Sequence, residues 1–327
     1  MIIPLSVKNQ SIETSGITND YKEAICEYIW NGFEAHATTV SVRYSPNVAF
    51  GIDELIIKDN GDGINYDDLS ETFGAFLASK KNLLSLKMKA KANKGKGRFS
   101  FTAFANNVEW STIYKDGASY KEYSIQMSNN KKEVVDCTDP QIVKNEICGT
   151  KLTVENMSFE VLEPFLLKEF AWFLYLFKNK NVSIVVNDKE IDYKKYINTD
   201  LSSKSLVTIE GYRFEINLVV WQEAIKEKFC CYYFDSADAL KGRETTTFNR
   251  NTIDFNHSVF VKSEFFDDKE DVTTNQDDDQ IGLFDSQEEK KILKALRRSI
   301  QNFIEKTIGV YLTEKADAEV EKMLNVK

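Results

Sequence analysis

The chain has 327 residues, 42 basic against 51 acidic, for a formal net charge of −9, with 42% hydrophobic and 12% aromatic residues. That length suggests two domains, each able to bury a core, and the composition excludes a disordered, collagenous or disulfide-scaffold chain. The acidic balance argues against nucleic-acid binding through overall charge and leaves only a local basic patch for such a role.

The apolar stretches are too short and too often interrupted to span a bilayer. The start, MIIPLSVKNQSIETSG, lacks the basic n-region and apolar core of a secretory signal. Cys26, Cys137, Cys148, Cys230 and Cys231 are odd in number and form no CxxC pair, and only His36 and His257 accompany them. Reduced thiols in a cytoplasmic protein fit this pattern better than a zinc site.

In chain order, the first strong element is a helix from Asp20 to His36, with Asn19 as N-cap and Ala24, Ile25, Tyr28, Ile29 and Phe33 on one face. TTVSVRYS reads as a strand, and DELIIKDNGDGI as a buried strand running into a Gly-rich turn. A short helix is expected from Tyr66 toward Phe73. The stretch from Lys80 to Arg98 holds eight basic residues and no acidic one, and it ends in GKGRFSFTAFA, a turn delivering the chain into a helix. Strands follow near Val108–Tyr114, Tyr120–Met127 and Thr150–Glu155, then an aromatic helix over Glu160–Phe177 and a hairpin in NVSIVVNDKEI. The texture changes near Thr199, which places a domain boundary at residue 198 and gives domains 1–198 and 199–327. LVTIEGYRFEINLVVW alternates like a strand pair with one covered face. Asp267–Asp279 reads as an acidic loop, and a helix over Ser286–Glu314 presents Ile292, Leu296, Ile300, Phe303 and Ile304 along one face.

Three features carry chemistry. Glu27 and Asn31 stand four apart on the first helix, so both project from one face. An Asn oxygen is a hard ligand suited to Mg²⁺, and a nearby carboxylate can polarise a water. Asp59-Asn60-Gly61-Asp62-Gly63-Ile64 follows the apolar strand directly. Its two glycines permit a sharp turn and close approach of a ligand, and Asp59 offers an acceptor for an exocyclic amine. An ordinary turn has the same composition. A calcium loop does not fit, because aligning Gly63 with the invariant glycine puts Lys58 and Leu69 at ligand positions. Gly95-Lys96-Gly97-Arg98-Phe99-Ser100 places glycines and two cations before a helix, where free N–H groups and the helix dipole favour an anion. Neither the GxxxxGK[ST] nor the GxGxxG spacing is present.

Taken in order, EYIWNGFEAHATTV, KDNGDGI, GKGRFS and CGTKLTV resemble the four motifs of the GHKL ATPases, the Bergerat-fold family of DNA gyrase B subunits, heat-shock chaperone ATPases, sensor histidine kinases and MutL. The likeness spans roughly residues 20–190. It implies an α+β fold: a Bergerat α/β sandwich, a mixed sheet with helices on one face, followed by a transducer-like α/β domain. It further implies that Glu27 is the general base and Asn31 the Mg²⁺ ligand, with Glu34 where the family often has Asp. Asp59 would accept from the adenine N6 amine, with Gly61, Gly63 and Ile64 shaping that pocket and Thr150 supporting it. Gly95, Lys96, Gly97, Arg98 and Phe99 would form the lid end and helix start that hold the phosphates. Trp30 stands where Asp or Glu is common and alters the surroundings of the base.

The resemblance implies an ATPase with Mg²⁺ as cofactor, ATP as substrate, and lid closure with homodimerisation as a conformational switch. The Lys80–Arg98 stretch then reads as the lid, with a nucleic-acid contact or a solvated loop as the other readings. Residues 199–314, through YRFEINLVVW, a middle strand region TTTFNRNTIDF, SVFVKSEFF and the last helix, are similar to transducers of the MORC-like branch. Lys241, Arg243 and Arg250 are candidates there for reaching the γ-phosphate. A partner effector and an antiviral defence role are expectations from that branch alone. A histidine kinase would need a histidine in a dimerisation hairpin, which neither His36 nor His257 offers. An ATP-binding module without turnover is the other rival.

Overall fold

The computed structural model describes residues 18, 20–46, 52–69, 97–144, 147–157, 162–248, 253–269, 272 and 287–324. Several expectations lie outside these residues: Asn19, the short helix toward Phe73, the basic stretch up to Lys96 with Gly95 and Lys96, Arg250, and most of the Asp267–Asp279 loop. The chain divides into two compact units, one built on residues up to Asp192 and one on residues from Tyr193, with Lys168–Trp172 counted in the second.

In the first unit, α1 (Tyr21–Glu34) precedes β1 (Thr39–Pro46) and β2 (Ile52–Asp59). A 3-10 helix (Gly97–Ala103) leads into β3 (Asn107–Asp116), β4 (Ser119–Ser128), β5 (Lys131–Cys137), β6 (Gln141–Val143) and β7 (Gly149–Met157). Then come α2 (Glu163–Leu176), β8 (Ser183–Val186) and β9 (Lys189–Glu190). Among the described residues these strands form one sheet in the order β5-β4-β3-β7-β2-β1-β8-β9, with β6 on β4. The sheet is mixed: β1 runs parallel to β8 and antiparallel to β2.

Asp20, not Asn19, caps α1, its side chain accepting from Lys22 N at 2.8 Å. The apolar face of α1 buries Ala24, Ile25, Ile29 and Phe33, while β1, β2 and β7 bury Val40, Val42, Leu55, Ile57, Leu152 and Val154. Trp30 is buried too, its ring 6.3 Å from Phe33 and 4.9 Å from Phe173 on α2. It is therefore a core side chain. The expected helix after GKG is a 3-10 helix. Hydroxyls take backbone groups that an α-helix would use: Tyr28 Oη accepts from Phe101 N at 2.7 Å and donates to Arg98 O, and Thr102 Oγ1 donates to Phe99 O.

In the second unit, β10 (Ile197–Ile209), β11 (Tyr212–Trp221), β12 (Cys230–Phe234), β13 (Leu240–Thr245) and β14 (His257–Lys262) form a second mixed sheet in the order β10-β11-β14-β12-β13. Glu210 and Gly211, both at positive φ, make the two-residue turn between β10 and β11. Of the expected strand region TTTFNRNTIDF, Thr245 alone lies in a strand among the described residues; the middle strands are CCYYF and LKGRET. Lys241 and Arg243 accordingly sit on β13, not in a loop. The last helix, α3, runs Gln287–Leu324, ten residues past its expected end. It buries Ile292, Leu293, Leu296, Ile300, Ile304 and Ile308 against Leu218, Tyr233, Val259 and Phe266. The α+β class and the mixed first sheet are as expected.

Candidate functional site

The end of β2 is pinned from both sides. The Asn60 carboxamide oxygen accepts from Thr38 N at 3.0 Å and Thr39 N at 2.9 Å, which ties the turn to the start of β1. Behind it, α1 approaches so closely that a Cβ on Gly32 would lie 2.9 Å from Asp59 Cβ. One on Gly61 would lie 2.4 Å from the Ala35 carbonyl oxygen. Gly63 has φ +76° and sits against the Ile113 carbonyl, where a Cβ would fall 2.1 Å from the oxygen. A side chain is excluded there on both grounds. His36, also at positive φ, bonds Asp62 through Nδ1.

Asp59 is held by its backbone neighbours. Its Oδ1 accepts from Gly61 N at 2.9 Å and from Thr150 N at 3.2 Å. That leaves Oδ2 with no donor among the described residues. Burial raises the Asp59 pKa above its ordinary value, the two N–H bonds oppose this, and the Asp62 charge adds to it. Thr112, fully buried on β3, completes this wall. Its Oγ1 accepts from Ile64 N at 2.9 Å and lies 3.1 Å from Thr150 Oγ1 and 3.3 Å from Gly149 O. The sequence reading missed Thr112; a threonine at an inward position of an apolar-alternating strand was the only signal for it.

Asn31 precedes the glycine that abuts Asp59, and Glu27 stands one turn earlier. Both are half-buried. Gly97 opens the 3-10 helix beside them: its Cβ position lies 3.6 Å from Asn31 Nδ2, 3.8 Å from Asn31 Oδ1 and 3.8 Å from Glu27 Oε2. Tyr28 fastens this helix to α1 through the two bonds described above, and its ring meets Phe104 and Trp110 edge-on. Tyr28 was read only as a core position. Its hydroxyl is buried, which raises its pKa and keeps it protonated. Arg98 lies over the Phe99 ring at 4.5 Å, and burial pulls its pKa down to about 10. Phe99 is buried, Ile64 is held through its N–H, and Glu34 sits half-buried at the last position of α1. One stretch of the fold thus gathers Glu27, Asn31, Asp59, Gly61, Gly63, Ile64, Gly97 and Thr150.

Among the described residues no group of three or more His, Cys, Asp or Glu could hold a metal. The donor set beside Gly97, one carboxylate and one carboxamide, suits a Mg²⁺ ion that takes its remaining ligands from water and phosphate. Lys241 and Arg243 are engaged within the second unit: Lys241 pairs with Asp235 at 3.3 Å and Arg243 with Glu227 at 2.7 Å. All five cysteines are free thiols, and no described helix is long and apolar enough to cross a membrane.

No curated protein matches the chain. Among solved structures it is similar to the Aquifex aeolicus MutL ATPase domain complexed with ADP, at 12% identity and a TM-score of 0.36, over 75% of this chain and 92% of that one. That likeness is too distant to assign residues. Residues 19–152, which include α1, β2, the Gly97 helix and Thr150, match the family described as histidine kinase-, DNA gyrase B-, and HSP90-like ATPase. That match assigns residues 19–152, about two fifths of the chain, to a GHKL-type ATPase segment.

Proposed function

We propose that the protein is a Mg²⁺-dependent ATPase that binds ATP in the first unit, between Asp59 and the Gly97 helix. The observation that carries this reading is the meeting of Glu27 and Asn31 at Gly97, on the same helix that packs against Asp59. Asp59 Oδ2 accepts from the adenine amine, while Gly61, Gly63, Ile64 and Thr150 shape the base pocket. Asn31 and Glu27 hold the metal and the attacking water. Mg²⁺, when bound, neutralises phosphate charge, which phosphoryl transfer needs more than covalent chemistry. Gly97, Arg98 and Phe99, with Gly95 and Lys96 before them, hold the phosphates, and Glu34 supports the end of α1.

In this reading ATP binding closes the Lys80–Arg98 segment as a lid and brings two chains together as a switch. Residues 199–327 act as a transducer for a partner effector, and lid closure rather than bond cleavage limits turnover. A defence role rests on the MORC-like resemblance alone. The free thiols fit a reducing compartment such as the cytoplasm.

Phosphate release by wild type and Glu27→Ala tests the hydrolytic part. Loss of a general base costs about 10²–10⁴-fold, so release should fall at least about a hundredfold while ATP affinity changes little. If both proteins bind ATP and neither releases phosphate, the chain is a binding module instead.

A further inference from the structure

The second unit contains a cavity of about 370 Å³ between residues 294–304 of α3 and the chain leaving β13. Its size falls within the range of small-molecule sites. The charges around it are unbalanced. Five basic residues and no acidic one fall between Lys290 and Arg298, in a chain whose net charge is −9. Three of them, Lys294, Arg297 and Arg298, line the cavity. The single carboxylate there, Glu244, is fully engaged: Arg297 grips it with Nε at 3.0 Å and Nη2 at 2.7 Å, and the Tyr233 hydroxyl donates to it. Arg297 and Glu244 therefore cancel.

Lys294 and Arg298 remain. They stand four residues apart on α3, so they share a face and repel one another. Both are exposed, and neither has a carboxylate partner among the described residues. Thr245 and Thr247, from the chain leaving β13, also line the cavity, as does Gln301 on α3, whose Nε2 donates to Glu305 at 3.0 Å. The loop between these threonines is anchored from below. The Thr246 hydroxyl bonds His257 Nε2 at 3.1 Å, and His257 Nδ1 bonds the Phe255 carbonyl at 3.0 Å. Burial lowers the His257 pKa to about 4, so the ring is neutral and Thr246 is the donor. Two cations with no carboxylate partner among the described residues, beside a cavity lined by three threonines, suit a group carrying about two negative charges and several acceptor oxygens, which is a phosphate.

We propose that this cavity binds the phosphate group of a small ligand, separately from the nucleotide site of the first unit. The test is calorimetric titration of pyrophosphate into the full chain as wild type, Lys294→Gln/Arg298→Gln, and Asn31→Ala. Wild type and Asn31→Ala should bind, and the double variant at least tenfold more weakly. With the like-charge repulsion gone, the ligand-free double variant should melt no lower than wild type, so lost binding would not reflect lost fold. Equal binding by wild type and the double variant overturns the proposal, as does no binding by wild type. A short single-stranded oligonucleotide is titrated alongside. Weaker binding than pyrophosphate at equal phosphate supports a small ligand, and binding of the oligonucleotide alone overturns it.

Discussion

Asp59 shows how one side chain can be costly to the fold and necessary to the site. Its Oδ1 is consumed by Gly61 and Thr150, so only Oδ2 can meet a ligand's amine. In Asp59→Asn the amide oxygen can keep both backbone bonds, but the NH₂ then faces another donor. ATP affinity should fall at least about tenfold, the loss of one charged hydrogen bond, while ligand-free stability holds or rises. The pH dependence follows from the raised pKa. The native state binds this proton more tightly than the unfolded chain, so stability from Asp59 is full below the ordinary carboxylate value. It is lost as pH rises through the raised native value. Asp59→Asn should remove that component from melting curves recorded between acid and neutral pH; an unchanged pH profile or unchanged ATP binding contradicts the assignment. Asp59, Gly61 and Gly63 were legible because they fall within one short turn that stands out in the sequence, although Ala35, Ile113 and Thr150, which pack against or bond to it, come from distant positions. Thr112 was not, because it meets Ile64 from 48 positions away.

At the scale of elements, the Tyr28 hydroxyl fastens the Gly97 helix to α1 with two hydrogen bonds. Tyr28→Phe keeps the ring contacts with Phe104 and Trp110 but strands the buried Phe101 N–H and releases the Arg98 carbonyl. An unsatisfied buried donor costs about 1–3 kcal/mol. The variant should lose a few degrees in melting temperature. In the proposed reading the Gly97 helix holds the phosphates, so affinity for ATP should fall several-fold while affinity for adenosine stays. Equal losses for ATP and adenosine would make Tyr28 a merely structural residue. The elements that sequence patterns located were those with a clear period or a tight turn: α1, β2, the β10–β11 pair and the face of α3. Those misjudged had neither. CCYYF is buried at every position and so shows no alternation, and Lys131–Cys137 (KKEVVDC) sets its two valines side by side instead of alternating them. TTTFNRNTIDF begins with the β-branched composition of a strand, yet residues 246–248 lie past the end of β13. The 3-10 helix was read as an ordinary helix because side-chain hydroxyls from elsewhere in the fold compete for its backbone.

The whole molecule joins a GHKL-type segment to a unit with its own sheet, its own core and a 38-residue helix. The family segment carries every described residue of the proposed nucleotide site, and Lys241 and Arg243 are bound within the second unit. In the proposed reading, binding belongs to the first unit and response to the second. The most direct measurement is calorimetric titration of ATP, with Mg²⁺ present, into the folded full chain. Saturable heat at one nucleotide per chain is the expected result, and the absence of any heat from a well-folded sample would contradict the account at its centre.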